Sequence, residues 1–183
     1  GQRFIVVHRD IGLKNTLVSA ETTCIADFGS AAVIPVCEGS TSSRVQQTIS
    51  LDEVIGTPVY MAPEIAQHYE LLAAAMQQQQ RPGYPIATDI PPLSYDSSVD
   101  MWSLGVLTMV LFGGGLDRMA EILSVPVGVQ PSAHMLDVVT RFVTGKLHVG
   151  PMTAENVEVY AEARDFVACC CGNDRTATAA AVM

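Results

Sequence analysis

Residues 101–115, Met-Trp-Ser-Leu-Gly-Val-Leu-Thr-Met-Val-Leu-Phe followed by three glycines, limit the possible folds of this chain more than any other stretch. The run is apolar nearly throughout, so a helix drawn over 100–112 is stable only when it is surrounded. It falls short of the roughly 20 residues that a bilayer crossing needs. Asp100 immediately before it suits the start of a helix in a protein core, and Gly113-Gly114-Gly115 marks its end. A helical domain with this segment inside it is therefore expected.

The remaining sequence is compatible with such a domain. At 183 residues the chain suits one unit with a sizeable core, and 49% hydrophobic against 16% charged residues is a globular balance. The formal net charge of −9 argues against a general nucleic-acid or anionic-membrane binder. Cysteines at 24, 37 and 169–171 form neither a disulfide framework nor a metal pattern. Three consecutive Cys on a helix point in different directions and are poorly placed to ligate one ion. They read as small buried hydrophobes in a reducing compartment. No signal peptide is visible, and the expected location is cytoplasmic.

The chemistry concentrates near the start, in His8-Arg9-Asp10-Ile11-Gly12-Leu13-Lys14-Asn15. An Asp and an Asn five residues apart in one tight loop can do two jobs at one point in space. Asp10 can accept the proton of an attacking hydroxyl, and the Asn15 amide oxygen can ligate a hard cation such as Mg²⁺. Twelve residues after Asn15, Asp27-Phe28-Gly29 offers a second metal-binding carboxylate followed by a flexible glycine. Further on comes Gly56-Thr57-Pro58-Val59-Tyr60-Met61-Ala62-Pro63-Glu64.

In this order, and with Asp100-Met101-Trp102-Ser103-Leu104-Gly105 downstream, these motifs resemble the C-terminal lobe of a eukaryotic protein kinase of the Ser/Thr type. The resemblance is strongest over residues 6–64 and returns at 100–107 and 163–180. It implies a mainly α-helical lobe with short β-strands at the catalytic loop. Within a single kinase domain it divides the chain into a catalytic-loop region (1–26), an activation segment (27–64), an insert (65–99) and a helical subdomain (100–183). Only seven residues precede His8, so the Gly-rich loop, strand lysine and helix glutamate of a kinase N-lobe have no counterpart here. The expectation is a fragment truncated at both ends, with the N-lobe of the same protein as a partner.

The resemblance also distributes roles. Asp10 becomes the base, and Asn15 and Asp27 hold Mg²⁺ against the phosphates of ATP. Leu17 lies in the floor of the adenine pocket. His8 packs on Phe28, Gly29 frees the segment that follows, and Arg9 pairs with a phosphate or an acidic substitute. Glu53, eleven residues before Glu64, stands where many kinases carry a phosphorylated Thr and can mimic it; Thr48 and Ser50 are candidate phosphosites. Thr57 is the family's contact to the catalytic Asp and points to Ser/Thr specificity. Glu64 is expected to pair with Arg175, and Asp100 to accept hydrogen bonds from the backbone around His8 and Arg9.

One position departs from the pattern. Ser/Thr kinases usually carry Lys two residues after the base, where this chain has Gly12. Lys14 is the nearest cation, at a position where many tyrosine kinases have Arg. Without a cation on the γ-phosphate, transfer loses stabilisation of several kcal/mol in order of magnitude. Two readings follow: a kinase acting on a protein substrate, or a pseudokinase that binds protein partners without phosphoryl transfer. A gene remnant with no stable product is the third.

Elsewhere the signals are structural. A strand is expected at 24–26, and residues 4–7 read as a helix end or buried strand. Residues 65–80 are Ala/Gln/Leu-rich and helix-forming, whereas 81–98, with five Pro or Gly residues, read as an exposed loop. Amphipathic helices are expected around 117–123 and 134–144, and His68, His134 and His148 lack metal-like spacing.

Overall fold

In the computed structural model, described for residues 3–36, 49–50, 54–79, 90–113, 116–147 and 157–172, the apolar run forms a helix in the core. Helix α2 spans Ser98–Phe112, and Val99, Trp102, Val106, Met109 and Val110 on it are almost wholly buried. It begins two residues before the expected start. Asp100 sits in its first turn, and Gly113 closes it by donating to the Met109 carbonyl.

Among the described residues, four further helices surround this post. Helix α1 (Pro63–Gln79) and helix α4 (Pro131–Val143) pack on one another, α5 (Val157–Cys171) lies along α2, and the short α3 (Leu116–Leu123) joins them. Val138, Val139 and Phe142 of α4 and Val167 of α5 are the inward-facing residues. They recur at helical spacing, which is why these sequences bury one stripe each. Helix α4 starts three residues ahead of its expected position, with Pro131 in the first turn, where a missing N–H costs nothing. The Tyr160 hydroxyl of α5 donates to the Phe112 carbonyl at the end of α2.

Among the described residues the β-structure consists of three antiparallel two-stranded ribbons: β1 (Arg3–Val7) with β4 (Ala32–Val36), β2 (Thr16–Val18) with β3 (Thr23–Ile25), and β5 (Ile49–Ser50) with β6 (Ser94–Tyr95). The residues expected to be a helix end or buried strand are β1, with Val7 buried while Phe4 and Val6 alternate outward. That is the period of a half-covered ribbon.

Two expectations change. Residues 81–89 lie outside the described set, but the end of the supposed exposed loop is only partly exposed: Pro91, Pro92 and Ser94 face solvent, whereas Leu93, Tyr95 and Ser98 are buried. Those apolar side chains complete the packing ahead of α2, and tertiary burial overrides the turn-rich composition. Of the described cysteines only Cys170 is buried; Cys24 and Cys169 are exposed and Cys171 is intermediate. Successive helix positions face different directions, so Cys170 and Cys171 pack on the core while Cys169 faces out. Among the described residues no helix is long and apolar enough to cross a membrane.

Candidate active site

The loop joining β1 to β2 is held from below by α2. Asp100 accepts the backbone N–H of His8 at 2.6 Å and of Arg9 at 2.8 Å, the arrangement that the family resemblance implies. These bonds hold Arg9 in the left-handed region, φ 67°, which a non-glycine residue rarely adopts. Burial pushes the Asp100 carboxyl above the usual aspartate range, although the Arg9 and His8 N–H groups pull the other way.

The reversal at Arg9 turns His8 and Asp10 to different neighbours. His8 accepts the Asp10 N–H at Nδ1 (3.3 Å) and uses Nε2 to donate to the Ala26 carbonyl (3.0 Å), which fixes one tautomer. Its ring meets Phe28 edge-on at 4.8 Å between centroids, as the motif implied. The Arg9 Nε donates to the Ser30 carbonyl, so the residue after Gly29 is tied to the loop. Arg9 Nη1 is buried and has no hydrogen-bond partner among the described residues. Glu53, the proposed acidic partner, lies outside them, as do Thr48 and Arg175, and the Arg9–Glu53 and Glu64–Arg175 pairs fall there too.

Asp10 is the most heavily contacted side chain of the site. Its Oδ1 accepts both the backbone N–H (2.9 Å) and the hydroxyl (2.8 Å) of Thr57. Its Oδ2 meets the Lys14 ammonium at 2.9 Å and the Asn15 amide at 3.1 Å, and Asn15 also donates to the Asp10 carbonyl at 2.8 Å. Burial would raise the Asp10 carboxyl, but hydrogen bonds from Lys14 and Thr57 outweigh it and hold the group below its usual range. Asp10 is thus an ionised carboxylate at neutral pH, oriented from two sides and accessible at its rim.

Asn15 is buried at the end of a single 3₁₀ turn over Leu13–Asn15. With both amide hydrogens spent on Asp10, its amide oxygen is available to a cation. Asp27 is left-handed (φ 64°) and accepts the Gly29 N–H at 3.2 Å while remaining exposed to solvent. An amide oxygen and a carboxylate are the hard donors that Mg²⁺ takes, with water or phosphate completing its shell. Among the described residues no group of three His, Cys, Asp or Glu could hold an ion alone. Leu17, on β2, is exposed.

Two residues that sequence reasoning left without a role shape the site. A Cβ at Gly12 would stand 2.7 Å from the ring of buried Tyr60, so that ring occupies the space that a side chain at 12 would enter. Tyr60 is locked in turn: the Ser103 hydroxyl of α2 donates to its carbonyl at 2.7 Å. Gly56 has φ 115°, and a Cβ there would lie 2.5 Å from the Arg9 carbonyl oxygen. Both residues stand in the motif that supplied Thr57, but close packing between loops 47 residues apart leaves no local signature.

A central apolar helix, a loop reversed over its first turn and an oriented Asp–Asn pair define a lobe like the C-terminal lobe of eukaryotic protein kinases. Sequence comparison agrees. The chain is similar to a meiosis-specific serine/threonine-protein kinase of Saccharomyces cerevisiae, 34% identical over 113 residues, which are 60% of this chain and 19% of that protein. Myosin light chain kinase A of Dictyostelium discoideum matches at 29% over 60% of the chain and 26% of its own length, and a serine/threonine-protein kinase of Arabidopsis thaliana at 28% over 60% and 6%. The chain resembles Ser/Thr protein kinases in both sequence and fold, and it spans about a quarter or less of these relatives. No protein-family model matches it.

Proposed function

We propose that the protein containing this chain is a Ser/Thr protein kinase, transferring the γ-phosphoryl of ATP to a hydroxyl of a protein substrate. The observation that carries the reading is the double contact of Thr57 to one oxygen of Asp10, with Lys14 and Asn15 on the other. Asp10 orients the incoming hydroxyl and takes its proton. Thr57 fixes the carboxylate so that a free lone pair faces the substrate. Lys14, flexible and largely exposed, is close enough to move from Asp10 to a phosphate oxygen, where it replaces the cation that Gly12 cannot supply. Asn15 and Asp27 are the residues that would hold magnesium. When bound, such an ion would supply positive charge against the charge developing on the phosphates. The N-lobe elements of a kinase are the expected partners of exposed Leu17 and Phe28.

The test is transfer of labelled phosphate from ATP to peptides carrying a single Ser, Thr or Tyr, by the protein that contains this chain. Label should appear on Ser and Thr, and Asp10→Ala should lower the rate by about 10²–10⁴-fold. Undiminished transfer by that variant sinks the base assignment.

Gly12 beneath the Tyr60 ring favours a second reading, a scaffold that binds partners without transfer. It predicts that peptide binding is retained while no phosphate moves, even at saturating ATP and magnesium.

A further inference from the structure

The last turn of α5 carries three consecutive thiols, and the packing of the helix gives each a different environment. Cys169 is exposed, Cys170 is wholly buried and Cys171 lies between. Cys170 packs with Met101 and Leu104 of α2. Cys171 donates from Sγ to the Trp102 carbonyl at 3.7 Å. Opposite them α2 has Gly105, where a Cβ would stand 2.5 Å from the Cys171 Sγ and 3.0 Å from the Cys170 Cβ. The helices therefore meet through Cys170 and Cys171 without room for one more methyl group. They do so in the turns of α2 that directly follow Asp100.

Burial pushes the Cys170 thiol up to about 11, and the neighbouring Cys169 adds to the shift. Cys170 is thus a neutral packing group while the turn is intact, and Cys169 is the thiol that solvent reaches. An accessible thiol beside a second one is the arrangement in which a sulfenic acid is trapped as a disulfide. The helix forbids that bond. Adjacent side chains on a helix point about 100° apart. Adjacent Cα atoms are about 3.8 Å apart, short of the roughly 4.4–6.8 Å that disulfides span. A Cys169–Cys170 bridge forms only when the turn around it unwinds and Cys170 leaves Met101. This is where α5 opens most readily, because the helix ends at Cys171 and Gly172 follows.

We infer that the end of α5 is a peroxide-sensitive fastener of the α2–α5 seam. Reduced, it holds α2 beneath the loop that carries Asp10; with Cys169 joined to Cys170, it lets go. The Cys169 sulfur attacks one oxygen of hydrogen peroxide, the O–O bond breaks, and the other oxygen leaves with the thiol proton as water. As the turn frays, the Cys170 sulfur attacks the sulfenic sulfur. An S–S bond forms, the S–OH bond breaks, and hydroxide leaves with the Cys170 proton as a second water. The peroxide gains two electrons and the two thiols lose them. A bridge between neighbours is strained, so a dithiol reverses it. The inference stands on the packing of α2 and α5 and does not depend on phosphoryl transfer.

The experiment treats the protein that contains this chain with hydrogen peroxide and alkylates the remaining thiols. Trypsin then releases residues 165–175 as one peptide holding all three cysteines. Expected is a peptide lighter by two hydrogen atoms, with its single alkyl group on Cys171. The urea midpoint should fall by about 1 M. The His8 and Arg9 amides, which donate to Asp100, should exchange about tenfold faster, and dithiothreitol should restore both. Cys169→Ser, at an exposed position, should match the untreated parent and stay there under peroxide. Cys170→Ala should gain oxygen on Cys169 with no bridge and no fall in midpoint. Absence of the bridge in the folded parent overturns the proposal, as does a bridge that moves neither the midpoint nor the exchange. An equal fall in Cys169→Ser traces the response to another thiol and overturns it too. A midpoint that falls while His8 and Arg9 exchange at their old rates overturns the reach of the switch to the Asp10 loop.

Discussion

Asp100 supports the loop that carries Asp10 from beneath, and removing its side chain tests whether that support is what shapes the loop. In Asp100→Ala the N–H groups of His8 and Arg9 lose their acceptors at 2.6 and 2.8 Å. A buried donor left unsatisfied costs about 1–3 kcal/mol, so two set an upper figure near 6. Two effects reduce it: Asp100 itself is only partly buried, so water can reach the vacated space, and the burial that raised its carboxyl no longer weighs on the fold. A net loss of about 2–4 kcal/mol remains. With a urea dependence of about 2 kcal/mol per molar, the unfolding midpoint should fall by about 1–2 M. Asp100→Asn keeps one oxygen in place and should cost about half as much. Since burial outweighs the hydrogen bonds in setting the carboxyl's affinity for protons, the position of the acceptor matters more than its charge. A folded-state value raised above the unfolded one gives stability that is complete below the ordinary aspartate range and declines as pH rises through the raised value. The advantage of Asp over Asn should therefore narrow with rising pH across that window. An Ala variant within 0.5 kcal/mol of the parent, by the error expected of a surface change, would refute the support argument. An Asn variant as damaged as Ala would show that charge, not geometry, holds the loop.

Three other perturbations separate the remaining contacts. Thr57→Val removes the hydroxyl bond to Asp10 and keeps shape and the backbone bond; kcat should fall by about tenfold or more with little change in KM for ATP, read from steady-state kinetics. Gly12→Ala drives a methyl into the Tyr60 ring and should destabilise by about 1–3 kcal/mol in urea unfolding, which distinguishes a packing constraint from an accidental glycine. Lys14→Met removes a main cause of the depressed Asp10 value, so the acid limb of the rate profile should move to higher pH. The Asp10 contribution to stability, present above the ordinary aspartate value and lost as pH falls through the lowered one, should shrink. Because Lys14 is largely exposed, its neutral-pH stability cost should stay below about 1 kcal/mol by thermal or chemical denaturation.

The parts of the site that could be read from sequence are those in which chemistry and spacing coincide. Asp10 and Asn15 lie five residues apart in a loop, and one short turn brings their side chains together whatever else the chain does. The apolar run at α2 was legible for a similar reason, since a helix with so few polar faces has one stable place. Lys14 needed only its position four residues after Asp10 to reach the carboxylate. Thr57 and Asp100 act across 47 and more than 90 residues, and only the resemblance to a known family connected them to the loop. What escaped was packing between distant segments. Tyr60 over Gly12 and Gly56 against Arg9 depend on two loops meeting, and nothing in either loop announces the other. The same holds for Leu93 and Tyr95, whose Pro-rich surroundings suggest a surface loop until α2 is in place to cover them.

A common physical cause runs through these misses. Arg9 and Asp27 are the two described non-glycine residues with positive φ, and they flank the proposed phosphate-facing side of the site. Each conformation costs about 1–2 kcal/mol or more for an L-residue, and local sequence gives no reason to accept it. The compensation comes from elsewhere: Asp100 accepts the N–H groups of His8 and Arg9, the Ser30 carbonyl accepts the Arg9 Nε–H, and the Asp27 carboxylate accepts the Gly29 N–H. At Arg9 the strain permits something a relaxed loop would not. The reversal lets adjacent residues point apart, with His8 bound to Ala26 and edge-on to Phe28, and Asp10 held by Thr57. Strain of this kind is stable only while the whole lobe enforces it, so the geometry around Asp10 is a property of the packed helix below as much as of the motif above. Mutations in the first turn of α2 should therefore reach the chemistry without touching a single reacting group.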